Sequence, residues 1–165
     1  MKLVLDTGPI IALAKTGHLD LLPKLFDEVW VPEPVIGEIT RSGKARPGAQ
    51  IADATWARVV PVDALSVRRM RRQHDIGEGE SAAILVAQIH AQDAILLIDD
   101  RRARACATEQ GVTTLRSGAL LVLAVRRGHL AKEDAQRALG RLREERYLDE
   151  KAELEILALL KPRSS

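Results

Sequence analysis

Apolar positions along this chain fall into short continuous runs, separated by longer stretches in which they recur every three or four residues. Residues 2–6 carry Leu3, Val4 and Leu5 in succession, apolar on both faces, which predicts a strand inside a parallel sheet. Thr7-Gly8-Pro9 turns the chain into a helix with Ile10, Ile11 and Leu13 on its apolar side, and a second helix is predicted over 18–26. A short strand over 28–31 stops at Pro32, and a helix over 33–40 takes Pro34 in its first turn, where a missing N–H is harmless. The polar, basic stretch 41–47 reads as a loop. Residues 57–62 predict a strand, weakened by Pro61, and 64–73 a basic helix. The nearly all-apolar helix over 80–91 belongs in the middle of the fold. A buried strand over 94–98, a helix over 101–110 and a strand over 112–115 follow, then helices over 118–127, 132–146 and 148–160. Strands alternating with helices predict an α/β fold, a parallel sheet covered on both sides.

Composition narrows this. With 46% apolar and 29% charged residues the chain is globular rather than disordered, and 165 residues suffice for one domain. A net charge of +2 argues for no particular partner, so the placement of charge has to. Phe26, Trp30, Trp56 and Tyr147 are too few for a platform of stacked bases. The lone Cys106 excludes an internal disulfide or a thiolate metal site and predicts a reducing, cytoplasmic setting. Lys2 ahead of a strand does not read as a signal peptide. The longest apolar run, 82–87, is far short of the roughly 20 residues that cross a bilayer, so no membrane is expected.

Acids in apolar surroundings disturb this ordinary picture: Asp6, Glu38, Glu80 and the pair Asp99-Asp100. Carboxylates are costly to desolvate unless a positive charge joins them. Each alone has a bland explanation. Asp6 could be a turn or cap residue, Glu38 a solvated flank beside Val35, Ile36 and Ile39, and Glu78 with Glu80 a complement to a helix dipole. Glu78 and Glu80 diverge by about 200° on a helix, so one of them reaches a shared site. Glu80 aligns with Ile84 and Ala87 and opens the buried face, which puts Glu78 in the preceding loop. If the strands ending at Asp6 and before Asp99 are neighbours, their acids share the crevice at the carboxyl end of the sheet. Such oxygen donors suit a hard cation, Mg²⁺ or Mn²⁺. His18, His74, His90 and His129 lack zinc spacing and read as surface or packing residues. Asp6-Thr7-Gly8-Pro9 is no phosphate-cradling loop, and Ser81 lacks a nucleophile elbow.

In chain order, Leu3-Val4-Leu5-Asp6-Thr7-Gly8-Pro9-Ile10, Val35-Ile36-Gly37-Glu38-Ile39, Gly77-Glu78-Gly79-Glu80-Ser81-Ala82-Ala83-Ile84 and Leu96-Leu97-Ile98-Asp99-Asp100-Arg101 with Arg104 resemble the PIN-domain nucleases. The likeness is closest to the prokaryotic branch that includes VapC-type toxins of toxin–antitoxin pairs, and it spans about residues 1–125. It implies a three-layer α/β/α sandwich with a mainly parallel sheet. Residues 1–128 then form the nuclease domain, and 129–165 a helical extension packing on it. The implied catalytic set is Asp6, Glu38, Glu80, Asp99 and Asp100, with Asp6, Glu38, Glu80 and Asp100 on the metal. Thr7, Arg101 and Arg104 are the expected substrate contacts. Two departures leave choices open. The third acid is Glu where the toxins usually have Asp, so Glu78 competes with Glu80. Ile-Asp-Asp replaces Thr-x-Asp, a register that favours Asp100 while both acids can contribute.

The implied reaction is metal-assisted hydrolysis of RNA, single-stranded or structured, and the implied partners are an antitoxin and a second copy in a homodimer. Two other classes compete: a PIN-like protein that binds RNA or protein without cutting, and a phosphoacceptor regulator, which expects its acidic pair on the first strand. The run Arg68, Arg69, Arg71 and Arg72 is open to phosphate, an acidic partner or plain solvent. Beyond Leu130 both signs of charge mix beside an apolar stripe of Leu154, Leu157, Ala158 and Leu160, suited to packing, a dimer surface or an antitoxin segment.

Overall fold

Leu3, Val4 and Leu5 have no exposed surface, and the strand they form is the middle of the sheet. The computed structural model describes residues 1–41 and 46–161. Strand β1 (Lys2–Leu5) pairs in parallel with β2 (Glu28–Pro32) on one side and β4 (Ala94–Leu97) on the other. With β3 (Ala57–Val60) and β5 (Thr114–Leu115) at the edges, the order is β3-β2-β1-β4-β5, parallel throughout. Such a sheet needs cover on both faces. Leu3 and Leu5 face a core shared with α1 (Thr7–Thr16), α2 (Leu21–Leu25), α3 (Glu33–Thr40), α7 (Ser117–Arg126), α8 (Lys132–Glu144) and α9 (Glu150–Leu159). Val4 faces a second core with α4 (Ala64–His74), α5 (Glu78–Ile89) and α6 (Arg101–Glu109). The fold is the expected three-layer α/β/α sandwich.

Where elements differ from the pattern, local chemistry explains most of the difference. β3 ends at Val60 because Pro61 has no N–H for the ladder. α5 starts at Glu78, so Glu78 is helical and not in the preceding loop. Gly77 takes the extended cap position, and Glu80 Oε2 reaches back to accept its N–H at 2.7 Å. α2 is limited to Leu21–Leu25, shorter than the expected 18–26. Residues 42–45 of the expected loop 41–47 lie outside the described residues.

α9 turns inward only part of the face its leucines suggest. Ala152, Ile156 and Leu160 are buried, while Leu154 and Ala158 point outward and Leu157 is half-buried. The cause lies on α7: a Cβ on Gly118 would meet Ile156 Cδ1 at 2.5 Å, so the bare glycine lets Ile156 seat there. Asp149 caps the helix, its Oδ1 accepting from Ala152 N–H at 2.7 Å. Among the described residues no helix is long and apolar enough to cross a membrane.

Candidate active site

From β1 the sheet grows through β2 to β3, and then restarts on the other side of β1 with β4 and β5. The carboxyl ends of β1 and β4 therefore flank a topological switch point, where an open parallel sheet splits into a crevice. Leu5 and Leu97 are register partners, and Asp6 N–H donates to the Leu97 carbonyl at 3.2 Å. Asp6 and the Asp99-Asp100 pair thus leave the sheet side by side. Glu38 arrives from α3 and Glu80 from the first turn of α5. All five acids line one cleft of about 670 Å³, together with Thr7, Arg101, Arg146 and Tyr147. Glu78 is exposed and is not part of its lining.

Asp6 is 5% exposed. Burial, followed by the charges of Glu80, Glu38 and Asp99, pushes its carboxyl up to about 7 against an opposing bond from the Thr7 backbone. Glu38 is no solvated flank residue. Its Oε2 accepts from Thr7 Oγ1 at 2.6 Å and its Oε1 from Gly79 N–H at 2.8 Å, which ties together α1, α3 and α5. A side chain at Gly79 would come within 2.5 Å of Glu38 Oε2, so this approach depends on glycine. Thr7, expected at the substrate, lines the cleft with its hydroxyl proton committed to Glu38. Burial also raises Glu80, opposed by its bond from Gly77 and supported by Asp100 and Glu38.

The two members of the aspartate pair have different surroundings. Asp99 accepts from Ser117 twice, N–H to Oδ1 at 2.8 Å and Oγ to Oδ2 at 2.7 Å. Burial raises its carboxyl, while Ser117, Arg116 and Arg104 pull the other way. Asp100 is exposed and caps α6, its Oδ1 accepting from Ala103 N–H at 2.8 Å. Arg104 Nη1 donates to the Asp99 carbonyl at 2.8 Å, and Arg101 stands at the rim. Ser117, Arg116, Arg146 and Tyr147 join the site without being marked for it by the sequence pattern. Ser117 carried one signal, a hydroxyl residue at the head of an apolar helix; the others carried none, because their place depends on how the last helices pack.

Among the described residues, none of the five carboxylates belongs to an ion pair. Carboxylates gathered this closely raise one another's affinity for protons or a cation, and their all-oxygen donor set fits a hard divalent ion. Among the described residues no three acidic, imidazole or thiol groups already converge as a ligand set.

A parallel α/β/α sandwich with an acidic cleft at its switch point is the architecture of a PIN domain. A family model described as a PIN domain matches residues 2–162, and the chain belongs to that family, whose members are generally nucleases. The match reaches through α9, beyond the residues 1–125 that carried the resemblance. Comparison with curated proteins and with solved structures gives no significant match.

Proposed function

We propose that this PIN-domain protein is a metal-dependent endoribonuclease that hydrolyses RNA phosphodiester bonds as the toxin of a VapC-type toxin–antitoxin pair. The observation that carries the reading is the cleft itself, five carboxylates at one sheet end with no paired cation among the described residues. Asp6, Glu38, Glu80 and Asp100 are the proposed holders of Mg²⁺ or Mn²⁺, with Asp99 completing the catalytic set. A bound ion supplies a water of lowered pKa and positive charge to offset what develops on the phosphate. The chain's own groups orient the acids beforehand: Thr7 and Gly79 hold Glu38, and Ser117 holds Asp99. Arg101 and Arg104 take phosphate oxygens at the rim. A cytoplasmic setting, an antitoxin and a second copy of the chain complete the proposal, and the exposed Leu154 and Leu159 give a protein partner apolar contact.

The test is cleavage of single-stranded RNA. We expect cutting with Mg²⁺ or Mn²⁺, none in EDTA, and a loss of at least about 100-fold in Asp6→Asn. Cutting that survives either change overturns the assignment. The runner-up is a PIN-like protein that binds RNA without cutting it. In that reading the same assay returns binding without products.

A further inference from the structure

Next to the acidic cleft lies a second cavity of about 710 Å³, which shares Asp99, Arg101, Arg146 and Tyr147 with it. Arg104 and Arg116 line it from the sandwich, and the turn joining α8 to α9 forms the opposite wall. Some of its charge is already spent: Arg143 pairs with Glu153 at 2.7 Å, Lys151 with Glu155 at 4.0 Å, and Asp149 caps α9. Arg101, Arg104, Arg116 and Arg146 have no ion-pair partner among the described residues. Burial, then the neighbouring Arg116, hold Arg104 below the usual guanidinium value, while Asp99 and Asp100 act in the opposite direction.

The turn carries a second, independent signal. Helices α1, α6 and α7 are followed by the left-handed glycines Gly17, Gly111 and Gly128. α4 is followed by Asp75, of the type that tolerates this conformation. α8 closes in the same way, with Tyr147 N–H donating to the Leu142 carbonyl at 2.8 Å, yet the left-handed position holds Arg146 at φ 63°. A left-handed backbone position occupied by a long cationic side chain that lines both cavities points to a use for that side chain. Tyr147 beside it has Lys15 Nζ 5.4 Å from its ring centre, and Lys15 also pairs with Glu145 at 2.5 Å, which holds the turn against α1. A guanidinium next to an aromatic ring suits a strand of phosphates and bases, the first taking the phosphate and the second the base.

We propose that the α8–α9 turn is the outer wall of a subsite for single-stranded RNA. Arg104, Arg116 and Arg146 hold backbone phosphates next to the one over the carboxylates, and Tyr147 stacks on a base. This rests on the nuclease reading above. The test measures binding of a labelled single-stranded RNA in EDTA, KM for cleavage with Mg²⁺, and melting temperature. Because glycine suits the left-handed position, Arg146→Gly should melt no lower than wild type. Its RNA binding should weaken roughly tenfold, its KM should rise, and the slope of log affinity against log salt should flatten by about 0.7. Tyr147→Leu should weaken binding roughly tenfold while Tyr147→Phe restores it. Unchanged binding and salt slope in both Arg146→Gly and Tyr147→Leu, with wild type still cutting, overturn the subsite alone. A glutamate-rich peptide that binds this wall more tightly than RNA overturns it in favour of a protein partner. A wild type that neither binds nor cuts RNA overturns the nuclease reading and the subsite together.

Discussion

Asp6 is the one charged side chain among the described residues that is buried, and the position follows from its sequence neighbours. Three apolar residues set the strand in the middle of the sheet, and the next residue inherits that depth. Its carboxyl rises from 3.8 to about 7 on folding, so the folded chain binds this proton more tightly than the unfolded one. Between those values a raised acid makes stability fall as pH increases, and the full penalty is present above about 7. The metal-free wild type should therefore lose melting temperature relative to Asp6→Asn as pH rises from 5 to 8. At pH 8 the variant should melt about 5 °C or more above wild type, although its RNA cleavage should be at least about 100-fold lower. Calorimetry in EDTA at several pH values checks this, and parallel pH curves for the two proteins would sink it.

Elements add a constraint that single residues do not carry. The first turn of α5 is built so that α3 can press Glu38 against it: Gly79 offers its N–H and has no Cβ in the way. Gly79→Ala places a methyl carbon 2.5 Å from Glu38 Oε2, which sits at the free end of a flexible side chain and can move aside. The helix gains up to about 1 kcal/mol of propensity as the contact is lost. We expect the melting temperature to stay within a few degrees while RNA cleavage falls roughly tenfold or more. Comparing thermal melts with initial rates decides the matter: unimpaired cleavage would show that this orientation of Glu38 is dispensable.

At the scale of the molecule, one core runs without a break from β1 through Leu120 and Leu121 to Leu139, Leu142, Leu148 and Ile156. Residues 129–161 are therefore proposed as part of the folding unit rather than an appendage. A chain ending at residue 128 would expose the faces of α1 and α7 that α8 and α9 cover. It should lose cooperative unfolding and aggregate, as seen by calorimetry and size-exclusion chromatography. A soluble, cooperatively melting fragment would place the boundary where the sequence pattern changes, near Leu130.

Much of this was legible in the linear chain, because it depends on neighbours a few residues apart. Leu3-Val4-Leu5 and Ala94–Leu97 read as strands buried on both faces, alternation with helices led to a parallel sandwich, and Asp6 and Asp99-Asp100 stood at strand ends. Strand order and helix packing decided the rest. The pairing of β1 with β4 turns two separate acids into neighbours, and the cap at Gly77 puts Glu80 in the cleft and leaves Glu78 outside. Ser117 meets Asp99, α9 buries Ile156 beside Leu160 while Leu154 and Ala158 of the expected stripe face out, and Arg146 with Tyr147 reaches the cleft. Each of these joins residues far apart in the chain. Local periodicity encodes which residues are buried, but which buried surfaces meet is set by the packing of the whole.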